Sequence, residues 1–127
     1  MKRTLDQIRA AVAMRFKDEI GGGAEGGEKI KGFPTIVQTN GLLGALAYAC
    51  ETKKDGTLKN EAEHNIGKAI VAHLNELREE GYPILSEDID TPETLARTLA
   101  NECSRGEFRR VNAEVMAFLN YLRRFAS

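Results

Sequence analysis

Tryptophan is absent from this chain, and cysteine, histidine, proline and methionine are scarce, with two Cys, two His, three Pro and three Met among 127 residues. Cys50 and Cys103 stand apart without C-x-x-C spacing or a neighbouring ligand in the sequence. They exclude a disulfide scaffold and are read as packing residues of a protein kept in a reducing interior. Long apolar runs are also missing: none approaches the ~20 residues needed to span a bilayer. The charged opening, residues 1–6, leads into a helical pattern in place of an apolar signal core, so the expected location is the cytoplasm. A dominant charge sign is lacking as well, since 18 Lys+Arg against 19 Asp+Glu leave a formal net charge of -1. No overall field draws this molecule onto a polyanion or an anionic membrane, and any such site has to come from uneven charge placement. A chain of this length forms one domain and buries roughly two-thirds of its unfolded surface, and so requires neither a disulfide nor a metal to fold.

Strand-like alternation is absent too, and apolar residues recur at helical spacing. The expectation is an all-α fold, a single compact bundle of about five to six helices over residues 1–127. Leu5, Ile8, Val12, Phe16 and Ile20 form the first stripe, opened by a Thr4/Gln7 capping box. Residues 21–27, five of them glycine, read as a flexible surface loop. Pro34 fits the first turn of a second helix whose face carries Phe33, Val37, Asn40, Gly41, Gly44, Ala47 and Tyr48. Two glycines within a helix cost about 1 kcal/mol each against alanine, and close approach of another helix would explain them. A third helix from about Asn60 carries Ala62, Ile66, Ala69, Ile70, His73, Leu74 and Leu77. Thr91-Pro92-Glu93 opens a shorter fourth helix with Leu95 and Leu99. The last has the cleanest repeat: Phe108, Val111, Val115, Phe118, Leu122 and Phe125.

Catalytic patterns are not found. The glycine cluster follows a helix and lacks the Gly-Lys-Ser/Thr ending of a phosphate-cradling loop. His64 and His73 are nine residues apart on one helix and point to different faces, and His73, on the apolar stripe, reads as a structural histidine. The acidic segment at 76–93 lacks the Asp-x-Asp-x-Asp-Gly spacing of a calcium loop and reads as a solvated face. No serine or cysteine lies in an activating motif. The sequence therefore predicts a protein that is not an enzyme, with no metal and no cofactor.

The balanced charge is partitioned along the chain. Residues 1–19 hold Lys2, Arg3, Arg9, Arg15 and Lys17 against Asp6, Asp18 and Glu19, and the last helix holds Arg105, Arg109, Arg110, Arg123 and Arg124 against Glu107 and Glu114. Between them, residues 76–93 carry seven acidic side chains and one basic, Arg78. Arg109–Arg110 and Arg123–Arg124 are 14 residues apart, about 21 Å along a helix, a span that suits several phosphates of a nucleic-acid backbone. Taken by themselves, these arginines read first as a helix solvated by long side chains that cover its core.

Three segments together resemble one family. Residues 4–13, TLDQIRAAVA, resemble an opening helix of the type T-L-x-Q-x-R-A-x-x-A. Residues 33–48, FPTIVQTNGLLGALAY, resemble a second helix of the type L-P-x-x-I-x-x-N-G-L-x-x-A-L-A-F. The closing Phe108-Arg109, Glu114 and residues 121–126, YLRRFA, resemble an aromatic-Arg start, a glutamate and W-L-K-R-F-A, with Tyr121 in place of the tryptophan. In this order and spacing they are similar to the small subunit of type III-B CRISPR-Cas (Cmr) effector complexes. The resemblance covers about half of the chain and does not extend to residues 56–104.

What the resemblance implies is an all-helical, non-catalytic subunit repeating along a ribonucleoprotein filament in antiviral defence, beside paired guide RNA and target RNA and the other Cmr complex subunits. On that footing Arg9, Lys53, Lys54, Arg109, Arg110, Arg123 and Arg124 are the candidates for RNA-backbone contact. Pro34, Asn40, Gly41 and Gly44 are candidates for helix packing, with Asn40 satisfying a neighbouring polar group. Glu76, Glu79 and Glu80 are candidates for subunit contact, including self-association of copies through opposite charge. The competing class is a free-standing helical protein–protein adaptor without RNA. Co-purification separates the two, because only the first brings down guide RNA together with larger subunits.

Overall fold

A computed structural model describes residues 2–20, 24–82, 84–85 and 88–126. Residues 21–23 of the expected glycine loop lie outside the described residues. Among the described residues the architecture is all-α, with five helices: α1 (Leu5–Ile20), α2 (Ala24–Ala49), α3 (Glu61–Glu79), α4 (Pro92–Asn101) and α5 (Arg105–Ala126). α3 is the central post, packed against each of the other four, while α1 lies along α5 and α2 also meets α4 and α5.

Local chemistry accounts for most helix starts. The α1 capping box forms as the sequence predicts, with Thr4 N–H donating to Gln7 Oε1 at 2.8 Å and Gln7 N–H to Thr4 Oγ1 at 3.1 Å. Thr91 Oγ1 accepts from Thr94 N–H at 3.0 Å, with Pro92 in the first turn of α4. A second capping box opens α5. Ser104 N–H donates to Glu107 Oε1 at 3.0 Å and Glu107 N–H to Ser104 Oγ at 3.1 Å, so Ser104 caps the helix. Asn60 precedes α3 without capping it. Its amide donates to the Tyr48 carbonyl at 2.8 Å and fastens the start of α3 to the end of α2.

α2 departs from expectation in three ways. It begins at Ala24, so residues 24–27 are helical where a loop was expected, and Pro34 lies inside the helix and not in its first turn. The apolar spacing Ile30, Phe33, Val37, all buried, carries the helix through the proline, which leaves the Ile30 carbonyl without an N–H partner from position 34. The third departure is Gly41, whose φ of 77° and ψ of 165° interrupt the helix. No L-residue is comfortable in that region.

The interruption resets the helical phase. Past it the buried face is Leu42, Ala45, Leu46 and Ala49, whereas Ala47 and Tyr48, expected to continue the Phe33/Val37 face, are exposed. The glycines thus serve a different purpose from close helix approach. A Cβ at Gly41 would meet open space, and one at Gly44 would lie 2.9 Å from Asn40 Cβ, one turn back on α2 itself. Asn40 is exposed and makes no side-chain hydrogen bond among the described residues.

Within the core, Ile8 and Val12 of α1, Ile66, Ile70, Leu74 and Leu77 of α3, and Val111, Val115, Phe118 and Leu122 of α5 are all but fully buried. His73 on the apolar stripe of α3 and Glu114 on that of α5 are both buried, and these meet. His73 Nε2 donates to Glu114 Oε2 at 2.8 Å, and its ring stacks on Phe118 at 4.4 Å between centroids and 8° between planes. Arg9 of α1 closes the cluster with two bonds to the same carboxylate, Nε to Oε2 and Nη2 to Oε1, both 2.7 Å. Its remaining Nη1 donates to Asp6 at 3.0 Å, which in turn accepts from the Tyr121 hydroxyl at 3.0 Å. Burial by itself would push the Glu114 carboxyl up, but the hydrogen bonds and charges of Arg9 and His73 outweigh it and hold it at about 2.

Two measurements follow. An ordinary carboxyl at 4.5 in the unfolded chain binds protons more tightly than folded Glu114 at about 2. The Glu114 contribution, roughly 3 kcal/mol, is therefore fully present above pH ~4.5 and disappears as pH falls toward ~2. Urea unfolding between these limits shows that loss in the native protein and a flatter acid limb in Glu114→Gln, which starts from lower stability at neutral pH. In the same assay Gly41→Ala lowers stability by about 1–3 kcal/mol through backbone strain, with Asn40→Ala within about 0.5 kcal/mol of the native protein.

Candidate nucleic-acid interface

Helix α5 sets the geometry of the basic surface. Its buried stripe leaves Arg109, Arg110, Arg123 and Arg124 exposed. Positions 14 apart are two heptads apart, so Arg109 and Arg123 share one side of α5 about 21 Å apart, as do Arg110 and Arg124. Arg110 stands at the rim of a cavity of about 320 Å³ lined with Leu5, Leu77, Tyr82 and Ile84. Arg123 lines a second groove of about 390 Å³ with Pro34, Met116 and Asn120, and donates a long 3.4 Å hydrogen bond to Asn120 Oδ1. Arg109 forms no ion pair among the described residues.

Lys53 and Lys54 occupy a separate element, the turn after α2. There Lys53 N–H donates to the Thr57 carbonyl at 2.8 Å, Gly56 turns the chain at φ 89°, and Thr52 bridges Leu58 in antiparallel fashion. Asp55 accepts from the Thr57 amide at 3.0 Å and its hydroxyl at 2.7 Å, which draws the carboxyl below its ordinary value. Both lysines are exposed.

Arg9 stands apart from these six cations. Its side chain is 17% exposed and its fork is filled by Glu114, so its place is beneath the surface that Arg110 presents. The acidic candidates are likewise divided. Glu76 accepts from Arg3 Nη2 at 2.7 Å, and Glu80 accepts from Arg3 Nε. That hydrogen bonding draws the Glu80 carboxyl below its ordinary value. Arg78 pairs with Asp88. Glu79 remains exposed and makes no ion pair among the described residues.

The structure also joins residues that the sequence kept separate. His64 Nε2 lies 3.0 Å from Glu93 Oε2, and Cys50 completes a group whose ligand atoms lie within 4.8 Å of one another. Cys50, read from the sequence as a packing residue, thus has two polar neighbours of its own. Their spacing of 14 and 29 positions along the chain gave no motif to find; only the convergence of the end of α2 with the starts of α3 and α4 brings them together.

Among known families, the model described as CRISPR-associated protein (Cas_Cmr5) matches residues 7–127. Neither the curated proteins nor the solved structures contain a match. No helix among the described residues is long and apolar enough to cross a membrane.

Burial separates Arg9 from the other cations in a measurable way. Arg9→Gln leaves Glu114 buried with a single partner and lowers folding stability by about 2–4 kcal/mol, whereas Arg109→Gln, on the exposed side of α5, stays within about 0.5 kcal/mol of the native protein. Urea denaturation at neutral pH distinguishes the two.

Proposed function

The chain belongs to the CRISPR-associated protein (Cas_Cmr5) family, the small subunit of type III-B CRISPR-Cas effector complexes, and from that premise we propose that it is a non-catalytic subunit contacting the backbone of guide and target RNA. Its partners are other Cmr complex subunits. In this reading it works in the cytoplasm, in antiviral defence.

The observation that carries the reading is the pair of arginine doublets on the exposed side of α5, two heptads apart. Two charged points about 21 Å apart on a rigid rod meet separate phosphates of one backbone, and guanidinium forks suit phosphate oxygens. Contacts of this kind position a protein along RNA without reading its bases. Lys53 and Lys54 add point charges from the turn after α2. Arg9 contributes from below, by holding α1 against α5 through Glu114. Copies stack with Glu79 facing the basic side of a neighbour, while Glu76 and Glu80, already paired with Arg3, shape that acidic face.

Binding of the assembled complex to target RNA, followed across a salt series, tests this. Replacing Arg109, Arg110, Arg123 and Arg124 by glutamine weakens binding alike for unrelated sequences and lowers the salt slope by roughly one unit for each lost phosphate contact. An unchanged slope with an intact complex removes the α5 surface from consideration. Co-purification of one protein partner without RNA or larger subunits replaces the reading with that of a helical adaptor.

A further inference from the structure

The last turn of α2, the first turn of α3 and the first turn of α4 converge on one spot, and each brings a side chain with a metal-binding donor. Cys50 follows α2, with its N–H bonded to the Leu46 carbonyl at 3.0 Å. His64 lies in the first turn of α3, its N–H bonded to the Asn60 carbonyl at 2.9 Å. Glu93 is in the first turn of α4. Thiol sulfur, imidazole nitrogen and carboxylate oxygen all lie within 4.8 Å of one another.

We propose that Cys50, His64 and Glu93 form a site for one divalent transition-metal ion of the zinc class, with solvent at the fourth position.

The donor chemistry selects the ion. A thiolate and an imidazole beside a single carboxylate suit borderline and soft cations such as zinc and cobalt, and disfavour calcium or magnesium, which take several oxygen ligands. Dimensions agree. Bonds of about 2.0–2.3 Å around a tetrahedral ion set one sulfur and two N/O ligands about 3.3–3.6 Å apart. The present group needs only about 1 Å of closure on its longest side for that geometry. Glu93 is able to supply the movement, because its side chain is 46% exposed while that of His64 is 9% exposed. The exposed carboxylate also marks the way in from solvent.

The scaffold holds these donors in place without the ion. Asn60 ties the start of α3 to Tyr48, two residues before Cys50. Gly67 lets α4 press on α3, since a Cβ there would come within 3.0 Å of Pro92 Cγ, and Pro92 adjoins Glu93. His64 makes one side-chain bonding contact, to Glu93, and its Nδ1 is buried without a partner among the described residues. Ligation through Nε2 therefore displaces a single hydrogen bond and converts its two members into co-ligands. Burial, with the charge of Glu93 adding to it, pushes the Cys50 thiol up to about 11. A bound cation reverses that balance, favouring the thiolate and releasing a proton. The positive ends of α3 and α4 oppose the cation, an effect of about 0.3–1 kcal/mol each, against three donors that include two anions.

Cobalt(II) provides the probe. Titrated into the reduced, metal-free full chain, it binds in a one-to-one ratio and gives a thiolate-to-cobalt charge-transfer absorption that zinc(II) abolishes by displacement. The absorption persists in Cys103→Ser and is lost in Cys50→Ser. Glu93→Gln, a substitution of a half-exposed side chain that leaves helical circular dichroism unchanged, weakens cobalt binding by about tenfold or more. Absence of the charge-transfer absorption, its survival in Cys50→Ser, or unaltered affinity in Glu93→Gln each overturns the site.

Discussion

The carboxylate of Glu114 is the constraint around which the bundle closes. It sits within the apolar stripe of α5, where an unpartnered charge would be prohibitively costly, and it is tolerated because α1 and α3 each deliver a donor to it. Apolar packing is indifferent to small rotations of a helix, whereas a two-pronged guanidinium and an imidazole impose direction and distance. The three helices therefore have one relative arrangement in which the charge is satisfied. Stacking of His73 on Phe118 reinforces it, since the ring that binds the carboxylate also packs on the next turn of the same helix.

That arrangement divides the positive charge of the molecule into two kinds. Arg9 is spent on the interior. Arg109, Arg110, Arg123 and Arg124 of α5 are exposed, Arg110 one turn before Glu114 at the rim of the same cavity. The acidic middle is divided in the same way, with Glu76 and Glu80 answering Arg3 and Asp88 answering Arg78. A net charge near zero is thus less a lack of electrostatics than a set of specific pairings beside a larger number of outward cations and anions.

How far the sequence reveals this depends on the range of the physics. Capping boxes and stripes act within a turn or two, and α1, α3, α4 and α5 follow from Thr4/Gln7, Thr91/Pro92 and the heptad-like apolar spacing. Ser104/Glu107 carries the same S-x-x-E signal and was equally readable. The buried cluster was half legible: His73 on one apolar stripe and Glu114 on another are each conspicuous, but nothing local says that these two stripes face each other. α2 is less legible because proline and glycine each have two uses. Pro34 reads as a helix start until Ile30 and Phe33 bury the turn before it, and Gly41 reads as a contact point until its backbone angles are known. Cys50, His64 and Glu93 were invisible as a group, since their meeting depends on how three helix ends are placed and not on any spacing.

The break at Gly41 has a mechanical consequence for α2. It acts as a registration point between two rods, one indexed on Ile30, Phe33 and Val37 and the other on Leu42, Ala45, Leu46 and Ala49. Straightening it into continuous helix would turn one rod about its axis by roughly 100° for the residue gained, carrying Leu42 toward water and Tyr48 toward the core. Length changes in either half are consequently not interchangeable, and the end of α2, with whatever docks there, is indexed to the rest of the bundle through a single backbone conformation.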